Sequence, residues 1–197
     1  MIQNSLLKSA ERYARERLSD KRYEHTLRVA DAAERLARAH GLDRATTRLA
    51  ALLHDSSREV EPEELLRLAE ERGVPVGPPE RESPKLLHGP VAAELAREDL
   101  GVESEDVLEA VRVHTTGAPG MGPVALAVFL ADKIEPARDY PGIEELRDLA
   151  RQDLKSAARV SLERAISHNE ERGNRTHPDS LEALEWLKGQ GAGERGV

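Results

Sequence analysis

Apolar side chains recur at helical spacing along almost the whole chain, and this periodicity constrains the fold more than any other feature. Near the N-terminus they fall four positions apart, at Ile2, Leu6, Ala10, Ala14 and Leu18, which gives a helix one apolar face. Leucine and alanine dominate the apolar set, and aromatic residues make up only 3% of the chain. Leucine and alanine side chains lose little rotamer freedom in a helix. No segment alternates apolar and polar residues in the way that a half-buried β-strand does. The sequence therefore predicts an all-α protein.

Glycine, proline and capping residues divide this pattern into about eight to ten helices. Residues 74–85 and 115–123 are expected to be loops, because the prolines and glycine of VPVGPP forbid a helix in the first of them. We expect Gly89-Pro90 to interrupt the start of the next helix, about 86–99. The length of 197 residues fits a single domain, assigned to residues 1–188, with a disordered tail at 189–197.

Charge and cysteine content narrow the classes of function. The chain has 37 acidic and 29 basic residues, a net charge of −8, and this argues against a general nucleic-acid binder. Without cysteine, any metal must be held by histidine, aspartate and glutamate. No segment has the length of a membrane span, and the N-terminus lacks the apolar core of a signal peptide. We therefore expect a cytoplasmic protein.

Polar residues of the metal-ligand type interrupt the apolar helices at five places. The run Leu49–Leu53, for example, ends abruptly in His54-Asp55. Buried imidazoles and carboxylates need partners, and divalent cations would satisfy them together. Donors without sulfur suit iron, manganese, zinc or nickel better than calcium. The set is larger than one open catalytic metal needs, so it fits two metals bridged by Asp55. Its members are His25, His54, Asp55, His88, His114 and Asp132.

The remaining histidines have simpler interpretations. His40 precedes Gly41 and reads as a cationic residue at a helix C-terminus. His168 is expected to be solvated. His177 precedes Pro178, and it either caps the last helix or contacts a substrate. A single histidine at a helix end is usually a surface or capping residue, so only the ordered set carries specific information.

Several motifs resemble one known family. His25, His54-Asp55 and Asp132 match the pattern of the HD superfamily of metal-dependent phosphohydrolases. The segments KRYEHTLRVA, LLHD, PKLLHGPVAAELA, VHTTGAPGM, LADKIEPARDYPG and HPDS resemble, in this order, the YqeK-type symmetrical bis(5'-nucleosyl)-tetraphosphatases. The resemblance covers about residues 10–188. It implies an HD-domain helical bundle that hydrolyses diadenosine tetraphosphate to two ADP.

The resemblance also implies roles for individual residues. Two divalent ions are expected, iron in particular, with manganese, magnesium, zinc and nickel as alternatives. The metal ligands are the six residues of the ordered set. His54, Asp55 and Arg58 are the expected catalytic residues. Arg58 stands where the family usually has lysine, so a planar fork replaces a point charge. The expected substrate contacts are Arg22, Arg58, His88, His114, Thr115, Arg138, Arg175 and His177.

The expected reaction is attack on a central phosphorus by a water that bridges the two metals and loses its proton near neutral pH. The expected partners are a dinucleoside polyphosphate, ADP or GDP as product and a second copy of the chain, without nucleic acid or membrane. Three alternatives stay open at this point. They are another HD phosphohydrolase acting on nucleoside mono- or triphosphates or cyclic dinucleotides, a non-catalytic nucleotide-sensing module, and a helical interaction protein.

Overall fold

A computed structural model of the chain describes residues 4–193, with side chains described for residues 4–189. This part of the chain forms eleven α-helices and one 3₁₀ helix and contains no strand, which confirms the all-α prediction. None of these helices has both the length and the apolar composition needed to cross a bilayer. The α-helices are α1 (Asn4–Arg17), α2 (Asp20–Ala39), α3 (Arg44–Leu53), α4 (Pro62–Glu71), α5 (Pro78–Glu82), α6 (His88–Leu100), α7 (Glu105–Val113), α8 (Pro123–Ile134), α9 (Ile143–Gln152), α10 (Leu154–Glu171) and α11 (Pro178–Gly193), and the 3₁₀ helix is Pro84–Leu87.

Helix α8 forms the centre of the bundle. Every residue from Val124 to Ala131 is buried. Such a helix is apolar around its whole circumference and needs neighbours on all sides. It has them, since α2, α3, α7, α9 and α10 pack against it. The end of α8 therefore holds Asp132 in a fixed place relative to the rest of the core.

A smaller apolar cluster lies beside the main core. It consists of Leu65, Ala69, Leu87 and Val91, all fully or almost fully buried. These residues pack α4 against the 3₁₀ helix and the start of α6. His88 directly follows Leu87, so this cluster supports the backbone from which the His88 side chain projects.

The expectation that residues 74–85 form a loop without helix is wrong. The short helix α5 lies inside this segment, with Pro78 and Pro79 in its first turn. Proline is tolerated there because the first N–H groups of a helix have no intrahelical acceptor. The backbone N–H of Gly77 is bound by the Glu80 carboxylate at 2.8 Å, which closes this turn.

The start of α6 also differs from expectation. The helix begins at His88 and continues through Gly89 and Pro90 without interruption, because this pair occupies its first turn. At the other end of the chain, α11 continues to Gly193, and the domain boundary at residue 188 stays a prediction. Residues 194–197 of the expected disordered tail lie outside the described residues.

Candidate metal centre

Three helix ends bring three histidines together. His54 follows α3, His88 follows the 3₁₀ helix and His114 follows α7, and each is the C-cap residue of its element. All three are at most 2% exposed. The Nε2 atoms of His88 and His114 are 3.0 Å apart. The ring centroids of His54 and His114 are separated by 4.9 Å. The three rings are therefore shielded from bulk solvent and tightly packed.

The hydrogen bonds of these rings fix which nitrogen faces the centre. Nδ1 of His54 lies 2.6 Å from the carbonyl of the residue three positions earlier, and the same bond measures 2.5 Å for His88 and 2.8 Å for His114. The last carbonyls of a helix have no intrahelical donor, so they are free to accept these bonds. A carbonyl only accepts, which assigns the proton to Nδ1. Each Nε2 then directs a lone pair towards its neighbours.

Asp55 faces two groups of histidines at once. Its Oδ1 lies 3.2 Å from Nε2 of His88 and 3.7 Å from Nε2 of His114. Its Oδ2 lies 3.5 Å from Nε2 of His54 and 3.9 Å from Nε2 of His25. Two possible cation sites result, one formed by His25, His54 and Asp55 and the other by Asp55, His88 and His114. Asp55 belongs to both, as a bridging ligand would.

Asp132 adjoins the first of these sites. Its Oδ1 lies 3.1 Å from Nε2 of His25 and accepts a hydrogen bond of 2.8 Å from Arg138. The Lys133 ammonium lies 3.8 Å from the other oxygen. Asp132 falls outside the two compact groups, so its role as a sixth ligand stays a prediction.

Two observations indicate that the clustered histidines and carboxylates can hold divalent cations. Among the described residues, Nε2 of His54 is buried and has no hydrogen-bond partner. Nε2 of His25 is also buried, and although Asp132 Oδ1 lies 3.1 Å away, their geometry does not make a hydrogen bond. The 3.0 Å between Nε2 of His88 and Nε2 of His114 is also close to the spacing of two nitrogens that each lie about 2.1 Å from one cation. Four imidazoles with carboxylates and no sulfur suit a first-row transition metal.

The electrostatics keep the ligands in their metal-binding protonation states. Burial lowers the pKa of His54 to about 4, although the Asp55 charge opposes this. Burial likewise lowers the pKa of His88. Burial raises the pKa of Asp55, but the surrounding histidines outweigh it and hold the pKa of this carboxyl well below its usual range. At neutral pH His54 and His88 are therefore neutral, and Asp55 is an ionised carboxylate.

Three arginines and a threonine stand at the rim of the cluster. Arg22 Nη1 lies 3.1 Å from Asp55 Oδ2, and Arg58 Nη1 lies 3.4 Å from Nδ1 of His88. Arg138 binds Asp132 as described above. Thr115 is exposed, and its hydroxyl lies 3.1 Å from Nε2 of His114. These four predicted substrate contacts are thus brought to one place.

Two cavities open beside the cluster. Their volumes are about 630 Å³ and about 430 Å³. They share a wall to which Leu86, Thr115, Thr116 and His177 contribute. Since Thr115 lines both and also approaches His114, both cavities reach the edge of the histidine cluster. Neither cavity is lined by the clustered histidines or by Asp55, so Thr115 forms the link between the cavities and the cluster.

The two predicted contacts near the C-terminus lie farther out. Nε2 of His177 bonds the Glu80 carboxylate at 2.8 Å, while its Nδ1 accepts the backbone N–H of Asp179 at 3.1 Å. His177 therefore caps α11 and also lines both cavities. The Arg175 side chain is 86% exposed and pairs with Glu82 at 3.0 Å. It borders only the smaller of the two cavities.

Comparison with known proteins identifies the family. The model of the HD domain family matches residues 22–137, which include all six predicted metal ligands. The chain belongs to the HD domain family. Its relatives include the symmetrical bis(5'-nucleosyl)-tetraphosphatase of Halalkalibacterium halodurans, 38% identical over 83% of this chain and 87% of that protein. The protein of the same name from Bacillus subtilis is 34% identical over 88% of this chain and 92% of its own.

A solved HD structure has the same fold. It comes from Clostridium acetobutylicum and is described as a predicted HD superfamily hydrolase involved in NAD metabolism. It is 33% identical to this chain, covers 93% of it and 97% of its own length, and superimposes with a TM-score of 0.90. The predicted resemblance to HD-type tetraphosphatases is therefore confirmed.

Sequence reasoning missed one buried residue of this HD domain. Glu135 lies directly after α8, is 2% exposed, and its Oε1 is 3.3 Å from Nδ1 of His25. Burial raises the pKa of Glu135, but the hydrogen bonds from the Ala137 backbone and Arg28 outweigh burial and lower the pKa overall. Glu135 is therefore ionised at neutral pH. The only local signal is a carboxylate three positions after Asp132, which periodicity does not distinguish from a surface residue.

Proposed function

We propose that this HD-domain protein hydrolyses dinucleoside tetraphosphates symmetrically and converts diadenosine tetraphosphate to two ADP. The observation that carries the proposal is Asp55, whose two oxygens face two groups of histidines beside a pair of cavities. Relatives that share the chain over more than four fifths of its length are named for this activity.

Two divalent cations would be held by the residues that already lie together. The first group is His25, His54 and Asp55, with Asp132 beside it, and the second is Asp55, His88 and His114. When bound, such cations supply Lewis-acid stabilisation of charge on phosphoryl oxygens and activation of water. The chain contributes the fixed ring tautomers and excludes bulk solvent from the donor atoms.

The rim residues would bind the polyphosphate. Guanidinium groups match phosphate oxygens bidentately, which suits Arg22, Arg58 and Arg138 for this task. The Thr115 hydroxyl donates to an oxygen at the shared cavity wall. These local positive charges oppose the net charge of −8, which would otherwise repel an anionic substrate. Stabilising charge on the transferred phosphoryl group is the main requirement of this reaction class.

The paired cavities favour a substrate with two nucleosides. Each compartment accepts one nucleoside, and the tetraphosphate crosses the shared wall at Thr115 next to the cluster. The central phosphorus atoms would then lie beside Thr115 and His114, so that cleavage leaves a diphosphate on each side. A mononucleotide would fill only one compartment.

Several finer expectations stay predictions within this proposal. Iron is the expected native metal, GDP is the expected product from a guanine substrate, and a homodimer is the expected assembly. We also expect the protein to act in the cytoplasm, without nucleic acid as a partner.

Product analysis tests the proposal directly. Protein purified without oxygen, with its metal quantified, is incubated with diadenosine tetraphosphate, and the products are separated by chromatography. ADP as the sole product supports symmetrical cleavage. AMP with ATP, or released orthophosphate, would indicate another HD phosphohydrolase. Asp55→Asn is the matched variant, since it keeps the side-chain shape and removes the charge shared by both groups. Turnover that survives in this variant, or that is absent from the unaltered protein, would overturn the proposal.

A further inference from the structure

Three of the four clustered histidines are oriented by the same kind of hydrogen bond to the backbone. His54, His88 and His114 each follow a helix end and bond a free carbonyl three residues earlier through Nδ1. Because the acceptor is part of the backbone at a helix terminus, no side chain is needed to set the ring tautomer.

His25 has no free backbone carbonyl at a helix end to which its Nδ1 could bond. It is the sixth residue of α2, which begins at Asp20, and it lies far from the helix end at Ala39. Carbonyls inside a helix already accept backbone N–H groups from the following turn. Nδ1 of His25 instead lies 3.3 Å from Oε1 of Glu135, a residue from a different helix end.

Glu135 is itself held in place. Arg28 donates from Nε to Oε2 at 2.8 Å, and the backbone N–H of Ala137 donates to the same oxygen at 2.8 Å. The glutamate side chain is only 3% exposed. Its Oε1 is thereby directed at His25 and cannot rotate away without losing both bonds.

We propose that Glu135 is the positioning residue of His25 and makes the two cation positions inequivalent. A carboxylate that accepts from one ring nitrogen fixes the tautomer and raises the basicity of the other nitrogen more than a neutral carbonyl does. The group of His25, His54 and Asp55 therefore contains one charge-assisted imidazole, while the group of Asp55, His88 and His114 contains none. This inference rests on the proposed metal-dependent function.

A purely structural role for Glu135 is the rival explanation. The pair of Arg28 and Glu135 could serve only to fasten α2 to the end of α8. Both explanations predict a loss of folding stability when Glu135 is changed. Only a positioning role predicts a change confined to one of two cation sites, so affinity at the separate sites distinguishes them.

The experiment titrates the metal-free full chain with Mn²⁺ by calorimetry and electron paramagnetic resonance. The variants are Glu135→Gln, which keeps an acceptor without the charge, and Glu135→Leu, which removes both. Arg28→Gln is the control, because it breaks the same ion pair but leaves the contact between Glu135 and His25. We expect two sites in the unaltered chain, with about 10- to 100-fold weaker binding at one of them in Glu135→Gln and a larger loss in Glu135→Leu. In Arg28→Gln the Mn²⁺ affinity of both sites should stay within about threefold of that of the unaltered chain.

Nitrogen NMR of the metal-free protein gives a second readout. The His25 ring should be protonated at Nδ1 in the unaltered chain and in Glu135→Gln, and it should populate both tautomers in Glu135→Leu. Equal affinities in Glu135→Gln and the unaltered chain, or equal weakening at both sites, would overturn the inference while leaving the proposed function intact. Absence of Mn²⁺ binding by the unaltered chain would overturn both.

Discussion

Nε2 of His88 lies 3.0 Å from Nε2 of His114, and both rings carry their proton on the opposite nitrogen. Two lone pairs at this distance repel each other unless a positive charge lies close to both. Oδ1 of Asp55 also lies 3.2 Å from Nε2 of His88. The two imidazoles are therefore a pair of donors whose mutual repulsion a divalent cation relieves.

Cation binding should stabilise the fold. At Mn²⁺ concentrations about 100 times the dissociation constant, the free energy of unfolding should rise by about 2.7 kcal/mol, which raises Tm by roughly 5–10 °C. Thermal unfolding with and without Mn²⁺ measures the effect. His114→Ala should lose most of the increase, and an identical increase in this variant would argue against the assigned donors.

Gly89→Ala should disrupt the cluster, because Gly89 directly follows His88 and its added Cβ would lie 3.2 Å from Cε1 of His114. A Cβ atom at position 89 would lie 2.9 Å from the carbonyl oxygen of Val111 and 3.0 Å from that of Arg112. Backbone atoms cannot rotate away, so α6 must move from α7 and separate His88 from His114. We expect a loss of about 1–3 kcal/mol in the free energy of unfolding and weaker Mn²⁺ binding, measured by denaturant titration and calorimetry.

Gly189→Ala is the matched control for this substitution. Apart from its own helix turn, no atom of the described residues lies within 4 Å of the place that a Cβ atom would take at residue 189, in helix α11. Alanine there should be neutral or stabilising by about 0.5–1 kcal/mol. If both variants behaved alike, the close approach of α6 and α7 would not control the cluster.

Thr115→Val should reduce catalysis with little effect on folding. The valine side chain keeps the shape but lacks the hydroxyl that lies at the cavity wall next to His114. A hydrogen bond to a charged group contributes about 1.5–3 kcal/mol, so kcat/KM should fall at least about tenfold. Steady-state kinetics with diadenosine tetraphosphate measure this.

Arg175→Ala provides the contrast. Its guanidinium is largely exposed and paired with Glu82. An exposed pair contributes little, so kcat/KM should change by less than about threefold. A loss as large as that of Thr115→Val would mean that Arg175 reaches the substrate, as the family resemblance implies.

The metal-free protein should lose stability between about pH 6.5 and pH 4. The pKa of His54 is about 4 in the folded chain, whereas a histidine in an unfolded chain has a pKa of about 6.5. In this window the unfolded chain binds more protons, so the free energy of unfolding decreases as the pH falls, by up to roughly 3 kcal/mol. Urea titrations at several pH values measure the slope. His54→Gln should flatten it, and an unchanged slope would contradict the assignment.

Asp43→Ala should weaken α3 without altering the chemistry. The Asp43 carboxylate accepts the backbone N–H of Thr46 at 2.7 Å and caps the helix that ends at His54. We expect a loss of about 1 kcal/mol in the free energy of unfolding, of which Asp43→Asn should restore most. The kcat of the folded protein should be unchanged, since the other end of α3 is packed in the core. A large fall in kcat at full folding would show that the cap also controls the position of His54.

Features that depend on residues close together in the sequence could be predicted from the sequence. The continuous apolar run of α8 predicts a buried helix, and the LAALL run before His54 predicts an anchored histidine at a helix end. The helix inside residues 74–85 was missed because proline is unfavourable within a helix but favourable in its first turn. Local spacing alone does not decide between these two cases.

The sequence by itself determined the helical class, the donor types and the absence of thiolate ligands, because these follow from backbone geometry and composition. Only the tertiary structure decided that the two oxygens of Asp55 face different histidines, and that Glu135 meets His25 across 110 positions of the chain. The physical reason is that side-chain periodicity fixes which face of a helix is buried. The distance between donors on different helices depends instead on how tightly their backbones pack, as Gly89 illustrates.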